Sequence, residues 1–112
     1  MMKMNNADNL TFENMPVDFT LIDNLLQTRR LSFEEVGLYF LLWAISDKSI
    51  IFHNITELAK LGNCGTDKLK GLMDKLIEKK LLIKYRRTQR IYFFKVLLPD
   101  ENYENAKREF LK

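Results

Sequence analysis

The sequence has few of the residues from which metal and cofactor sites are built. Its 112 residues include one cysteine and one histidine. A single cysteine, Cys64, excludes an intramolecular disulfide framework and fits a reducing cytosol. One cysteine and one histidine cannot complete a structural zinc site, and no acidic loop of the kind that binds calcium or magnesium is recognisable. We therefore expect no metal and no cofactor.

Enzymatic motifs are also missing. The chain has no glycine-rich pattern of the kind that binds phosphate or a dinucleotide. Nucleophilic catalysis needs a base held beside the nucleophile by a third group. His53 lies in a predicted apolar strand without such a group, so a structural imidazole is the favoured interpretation. We expect a protein that is not an enzyme.

Long apolar runs and a secretory signal are absent as well. The longest apolar run, Leu38–Ile45, is far too short to span a bilayer. The start of the chain, Met1–Asn9, lacks the apolar stretch of a signal peptide, and we expect residues 1–11 to be a flexible N-terminus. These observations predict a soluble, cytoplasmic protein with no membrane partner.

What the sequence does have is a globular composition with unevenly distributed charge. An apolar content of 46% in 112 residues suits one domain with one core. Residues 1–59 hold 4 basic and 8 acidic side chains, whereas residues 60–98 hold 11 basic and 3 acidic. Segregated basic charge is what a phosphate-facing surface requires. The alternative for Lys75, Lys79 and Lys80 is that they only solvate a helix.

Two capping boxes predict where helices begin. Ser32–Glu35 opens a helix over Val36–Ile45 that is apolar on most sides, and we expect this helix to be buried, with Trp43 in the core. Asn54–Glu57 repeats the arrangement and opens a short helix with Leu61 on its inner face. Each box pairs a cap side chain with an acceptor three residues later, so both are local signals.

A turn and a second amphipathic helix follow. We expect Gly62 and Gly65 to reverse the chain through positive φ, and Thr66 to cap the helix 66–80. Its apolar residues recur every three or four positions and form one buried stripe. Gly71 on the exposed face costs about 1 kcal/mol relative to alanine; close approach to a DNA backbone and a chance solvent position are both open explanations.

Two β-rich strings then flank an arginine-rich turn, and they predict an antiparallel hairpin whose contact region is 84–92. Residues 99–112 indicate a last helix with Pro99 in its first turn, which would serve dimerisation or pack on its own domain. The predicted fold is α+β and mainly helical: a winged helix-turn-helix domain over 12–98 with a C-terminal helix over 99–112.

The stretch Phe12–Leu97 resembles the winged-helix domains of phage and plasmid replication proteins of Gram-positive bacteria, including DnaD-type primosomal proteins and replication initiators. The resemblance is carried by Leu31-Ser32, by Ile55–Lys60, by Gly65–Leu69 and by Leu72–Ile83. It implies a winged-helix fold and a role in replication, partition or transcriptional control. Because many regulators share these motifs, they define the fold better than the role.

The first functional hypothesis is binding of double-stranded DNA. The helix 66–80 would enter the major groove, and the hairpin would contact the backbone or the adjacent minor groove. The predicted DNA-binding residues are Thr66, Asp67, Lys68, Lys70, Lys75, Arg86, Arg87, Gln89 and Arg90. Since no arginine lies on this helix, we expect specificity to come partly from the spacing of a homodimer and from DNA shape.

The alternative hypothesis is a protein-binding module that docks on a host, replication or partition protein. The acidic first half of the chain and the aromatic residues Phe12, Phe19, Phe33 and Trp43 would then supply the contact. Trp43 is better explained as core, because it lies in an apolar helix.

Overall fold

The computed structural model describes residues 19–86 and 92–111. The predicted flexible N-terminus, residues 1–11, lies outside these ranges. Helix α1 (Phe19–Asp23) continues directly into a π-helical segment, Asn24–Thr28. The remaining elements, in chain order, are α2 (Phe33–Ile45), β1 (Ile50–Ile51), α3 (Ile55–Leu61), α4 (Thr66–Glu78), β2 (Leu82–Arg86), β3 (Tyr92–Val96) and α5 (Tyr103–Phe110).

Both predicted capping boxes are confirmed. At the start of α2, the amide of Glu35 donates to Ser32 Oγ at 3.1 Å, and the amide of Ser32 donates to Glu35 Oε1 at 3.0 Å. At the start of α3, the amides of Glu57 and Asn54 make the same exchange at 2.8 and 2.9 Å. Each box satisfies amide groups that the helix itself leaves without acceptors.

The turn between α3 and α4 differs from the prediction. Gly62 and Gly65 have φ values of −84° and −76°, so neither uses positive φ. Asn63 takes the left-handed conformation instead, with φ of 53°. Its amide donates to Lys60 O while the amide of Cys64 donates to Ala59 O. These two bonds close α3 with a Schellman motif, which places the left-handed residue one position after the C-cap.

Three further details of this region were predicted wrongly. Thr66 does not cap α4: the N-cap is Gly65, which has no side chain for capping, and Thr66 is the first helical residue. Leu61 does not face inward, because its side chain is 52% exposed. Helix α4 also ends at Glu78 rather than at residue 80, since Lys80 adopts φ of 63° and terminates it.

The strands form one antiparallel sheet in the order β1-β3-β2. Arg86 pairs with Tyr92 and Lys84 with Phe94, while β1 pairs with the other end of β3 through Ile50 and Lys95. Alternation puts Leu82, Phe94 and Val96 on the face toward the helices, where they are buried. The apolar strand that was predicted to contain His53 is only two residues long, Ile50–Ile51, and does not reach His53.

The main core lies between α2, α4 and the inner face of the sheet. Tyr39, Leu42, Leu58, Leu69 and Leu76 are fully or almost fully buried there. Trp43, only 5% exposed, belongs to the same cluster, as predicted. The described residues thus form an α+β fold that is mainly helical, which confirms the predicted class at that level.

Helix α5 packs on the outer face of the sheet. The ring of Phe110 lies edge-on to Tyr85, with 5.8 Å between ring centroids. The helix begins at Tyr103 with Asn102 as its cap, so the prediction that Pro99 lies in its first turn is wrong. The contact with Tyr85 matches one of the two alternatives for the C-terminal helix, packing on its own domain.

Candidate nucleic-acid interface

An open groove of about 630 Å³ separates α4 from the hairpin β2–β3. Its lining comes from the start of α3 (Asn54, Ile55 and Thr56), from α4 (Thr66, Lys70 and Asp74) and from the hairpin (Lys84, Tyr92 and Phe94). Residues four apart lie on one side of a helix, and alternate residues share one face of a strand. The helical and strand periods therefore direct these side chains toward each other across the groove.

Three cations lie in this region with no ion-pair partner among the described residues: Lys70, Lys84 and Arg86. Lys84 Nζ lies 4.5 Å from the centroid of the Tyr92 ring, and Arg86 Cζ lies 5.6 Å from it. The negative face of the aromatic ring attracts both cations. Tyr92 thus holds two positive charges at the turn end of the hairpin, where it pairs with Arg86, without neutralising them.

The groove has a positive balance with one acidic lining residue. Among the lining side chains that the structure describes, Asp74 carries a negative charge, whereas Lys70 and Lys84 carry positive charges. Ile55 and Phe94 are also among the lining residues, and Phe94 is buried. A cationic wall beside a partly apolar surface suits a polyanion that is held by its phosphates and packed through its sugars.

The other predicted cations of α4 lie on the opposite edge of the helix. Lys68 lies two residues before Lys70, and this spacing separates the directions of the two side chains by roughly 160° around the helix axis. Lys68 Nζ forms a close ion pair with Glu34 Oε2 of α2, and a hydrogen bond to this carboxylate raises the pKa of Lys68 above its ordinary value. Lys75 Nζ lies 3.6 Å from Glu78 Oε1.

The predicted site residues therefore divide into groups. Thr66 and Lys70 line the groove, and Arg86 lies over the ring of Tyr92, which also lines it. Asp67 is exposed on the outer face of α4, while Lys68 and Lys75 occupy the far edge. Arg87, Gln89 and Arg90 lie outside the part of the chain that the structure describes.

Sequence reasoning included Lys84 and Tyr92 in the contact region 84–92 without naming them as site residues, and it missed Thr56. For Lys84 the signal was present, because alternation from buried Leu82 places position 84 on the same face of β2. No local signal identified Thr56, since its position beside the hairpin depends on how α3 packs against α4.

A second groove, of about 300 Å³, lies between α2 and the turn that joins α3 to α4. Leu41, Leu72 and Cys64 contribute to its lining, with Glu34 and Lys68 among its polar residues. Phe33, in the first turn of α2, is 85% exposed. Of the other aromatic residues in the protein-binding hypothesis, Trp43 is core, whereas Phe12 and the side chain of Phe19 lie outside the description.

The structure also shows the surroundings of the one histidine and the one cysteine of the chain, His53 and Cys64. His53 Nδ1 is buried with no hydrogen-bond partner in the structure as described, and Cys64 is a free, half-buried thiol. Within residues 19–86 and 92–111, no three His, Cys, Asp or Glu side chains are grouped so as to hold a metal ion.

None of the helices in these ranges is both long and apolar enough to cross a membrane.

Comparison with known proteins found no match: no protein-family model matches the chain, and no curated protein or solved structure shows significant similarity to it.

Proposed function

We propose that the protein is a winged helix-turn-helix protein that binds double-stranded DNA, with α4 as the recognition helix and β2–β3 as the wing. The order of the elements supports this architecture, because three helices (α2, α3 and α4) precede an antiparallel hairpin, and a tight turn joins α3 to α4. We further propose a cytoplasmic homodimer that acts in replication, partition or transcriptional control of a phage or plasmid. Binding, not catalysis, is its proposed activity.

The observation that carries the proposal is the groove between α4 and the hairpin. Lys70 and Lys84 line it, Arg86 shares the ring of Tyr92 with Lys84, and none of the three has an ion-pair partner among the described residues. When α4 enters the major groove, one phosphate backbone would run between α4 and the wing, past these three cations. Each phosphate neutralised by a lysine or arginine releases condensed counterions, which favours binding at low salt.

The outer face of α4 would then meet the base edges. Asp67 can accept a hydrogen bond from a cytosine amino group, and Thr66 can contact a base or a phosphate. A Cβ placed on Gly71 would meet no atom within 4 Å, so the protein itself does not require glycine there. Close approach of the DNA backbone would explain this glycine. Arg87, Gln89 and Arg90 would extend the contact at the tip of the wing.

The first test is fluorescence anisotropy of the purified protein with duplex DNA from upstream of its own gene and with random duplex, across a salt series. We expect tighter binding to the upstream fragment and a steep dependence on salt. Lys84→Gln should weaken binding and lower the salt slope by about 0.9, the contribution of one phosphate contact. Absence of binding to any duplex at low salt would overturn the proposal.

Lys48→Gln is the matched control. Lys48 is exposed and precedes β1, which pairs with the end of β3 remote from Arg86 and Tyr92. Its substitution changes the net charge by the same amount, and we expect it to leave the salt slope of binding unchanged. Equal loss in both variants would indicate only a general attraction between a basic protein and DNA.

A second candidate function is docking on another protein, and the exposure of Phe33 favours it. Phe33 is 85% exposed and precedes Glu34, which lines the second groove, and an exposed aromatic side chain of this kind is a feature of interaction surfaces. Phe33→Ser would abolish biological activity while leaving duplex binding intact if docking were the main function. If DNA binding is the main function, Phe33→Ser retains activity and Lys84→Gln loses it.

A further inference from the structure

The two edges of α4 carry cations in different states. On the groove edge, Lys70 has no ion-pair partner among the described residues. On the far edge, Lys68 is held by Glu34 and Lys75 lies near Glu78. A helix in the major groove faces one phosphate backbone on each side, so the two edges would meet different strands. Only the cation on the groove edge, Lys70, could bind a DNA phosphate without first breaking an ion pair within the protein.

Glu34 is well placed to compete with a phosphate for Lys68. It lies in the first turn of α2, and the capping box of the neighbouring Glu35 fixes where that turn begins. Lys68 lies in the first turn of α4, so the ion pair joins the N-terminal ends of two helices that pack together in the core. Both side chains are more than half exposed, which leaves the amine open to a competing anion.

We propose that Glu34 withholds Lys68 from duplex DNA and thereby lowers the affinity of the protein for any phosphate backbone on the far edge of α4. Removal of the carboxylate charge frees the lysine for a phosphate. Glu34 is then a specificity-determining residue, since a weakened backbone term makes the affinity depend more on base contacts and on the groove edge. This inference rests on the proposed DNA-binding function.

A double-mutant cycle in duplex binding tests the proposal, with anisotropy measured over a salt series for wild type, Glu34→Gln, Lys68→Gln and the double variant. We expect Glu34→Gln to bind random duplex roughly twofold to fivefold more tightly, the ratio that corresponds to one surface ion pair. Its salt slope should be steeper by about 0.9, as expected for one added phosphate contact. Lys68→Gln alone should change little, and the double variant should return to the wild-type affinity.

Asp23→Asn is the control for net charge. Asp23 is exposed at the end of α1 and adds the same single charge when replaced. It should leave the salt slope unchanged. The proposal is overturned if Asp23→Asn and Glu34→Gln bind alike, or if Lys68→Gln weakens binding as much in the wild-type background as in the Glu34→Gln background.

Failure of the proposed function gives a different result. If none of the four proteins binds duplex DNA at low salt, the DNA-binding function and this inference both fail. If all four bind equally and with steep salt dependence, the function stands and the inference alone fails. A lysine titration followed by NMR adds an independent readout, because Glu34→Gln should lower the raised pKa of Lys68.

Discussion

Arg29 donates a hydrogen bond from its guanidinium to the carbonyl oxygen of Lys79, 50 residues later in the sequence, at 2.5 Å. The same guanidinium donates to Pro99 O at 2.6 Å. The first bond satisfies a carbonyl at the C-terminus of α4, where a positive charge also interacts favourably with the helix dipole. One side chain thus connects the segment before α2, the end of the proposed recognition helix and the segment after β3.

Arg29→Met should therefore destabilise the whole domain. The change leaves two carbonyl groups without their charged donor, and we expect a loss of about 2 to 4 kcal/mol in the free energy of unfolding. Urea denaturation followed by circular dichroism measures it. Arg30→Met is the matched control, because Arg30 is the exposed neighbouring arginine, and it should change stability by less than about 0.5 kcal/mol. Equal losses would show that the hydrogen bonds of Arg29 contribute little.

Gly71→Ala separates stability from binding. Both Gly71 and Gly37 lie in helices, and a Cβ at either position would meet no atom within 4 Å. Alanine should therefore raise the free energy of unfolding by about 1 kcal/mol at each position. If Gly71 lies against DNA, only Gly71→Ala should weaken duplex binding, since its methyl group would occupy the space of the backbone. Unchanged binding in both variants would assign Gly71 to a solvent position.

The buried hydroxyl of Tyr39 leads us to expect that the folded domain loses stability in alkali. Its hydroxyl donates to Leu97 O at 2.5 Å, and burial raises the pKa of the Tyr39 phenol above its ordinary value. The unfolded chain loses this proton near pH 10, whereas the folded chain keeps it to higher pH. The folded state thus binds more protons above pH 10, and stability should fall there by up to about 1.4 kcal/mol per pH unit. Below pH 10 this contribution is fully present.

Tyr39→Phe provides the comparison for that pH dependence, because it removes this phenol and leaves every other ionisable side chain in place. The variant should lose about 1 kcal/mol at neutral pH from the missing hydrogen bond. Thermal unfolding at pH 8 to 11 should then show a smaller decline than in wild type. Parallel curves for the two proteins would contradict the assignment of this decline to Tyr39.

Sequence reasoning succeeded where a structural signal is local. The capping boxes at Ser32 and Asn54 predicted the starts of α2 and α3 correctly, because each motif is completed within four residues. The position of Asn63 in the turn was missed, since it depends on where α3 stops and which residue follows the C-cap. A glycine pattern alone does not determine that position.

The candidate site was only partly predictable for the same reason. The period of α4 places Lys70 and Thr66 together and Lys68 away from them. The ion pair that holds Lys68 depends on Glu34, which reaches α4 only through the packing of α2. Arg29 received no role in the sequence analysis, because neither of its carbonyl partners is near it in sequence. Long-range pairs of this kind leave no periodic trace in a single sequence.

Strand β2 is an outer strand of the sheet, since the strand order is β1-β3-β2. Its exposed residues include Lys84 and Arg86. An outer strand offers unpaired backbone groups to any other extended chain, and charged side chains on it oppose such pairing. Lys84 and Arg86, which are proposed to bind phosphate, would therefore also protect the sheet from self-association. Selection against aggregation and selection for DNA binding would then act on the same two positions.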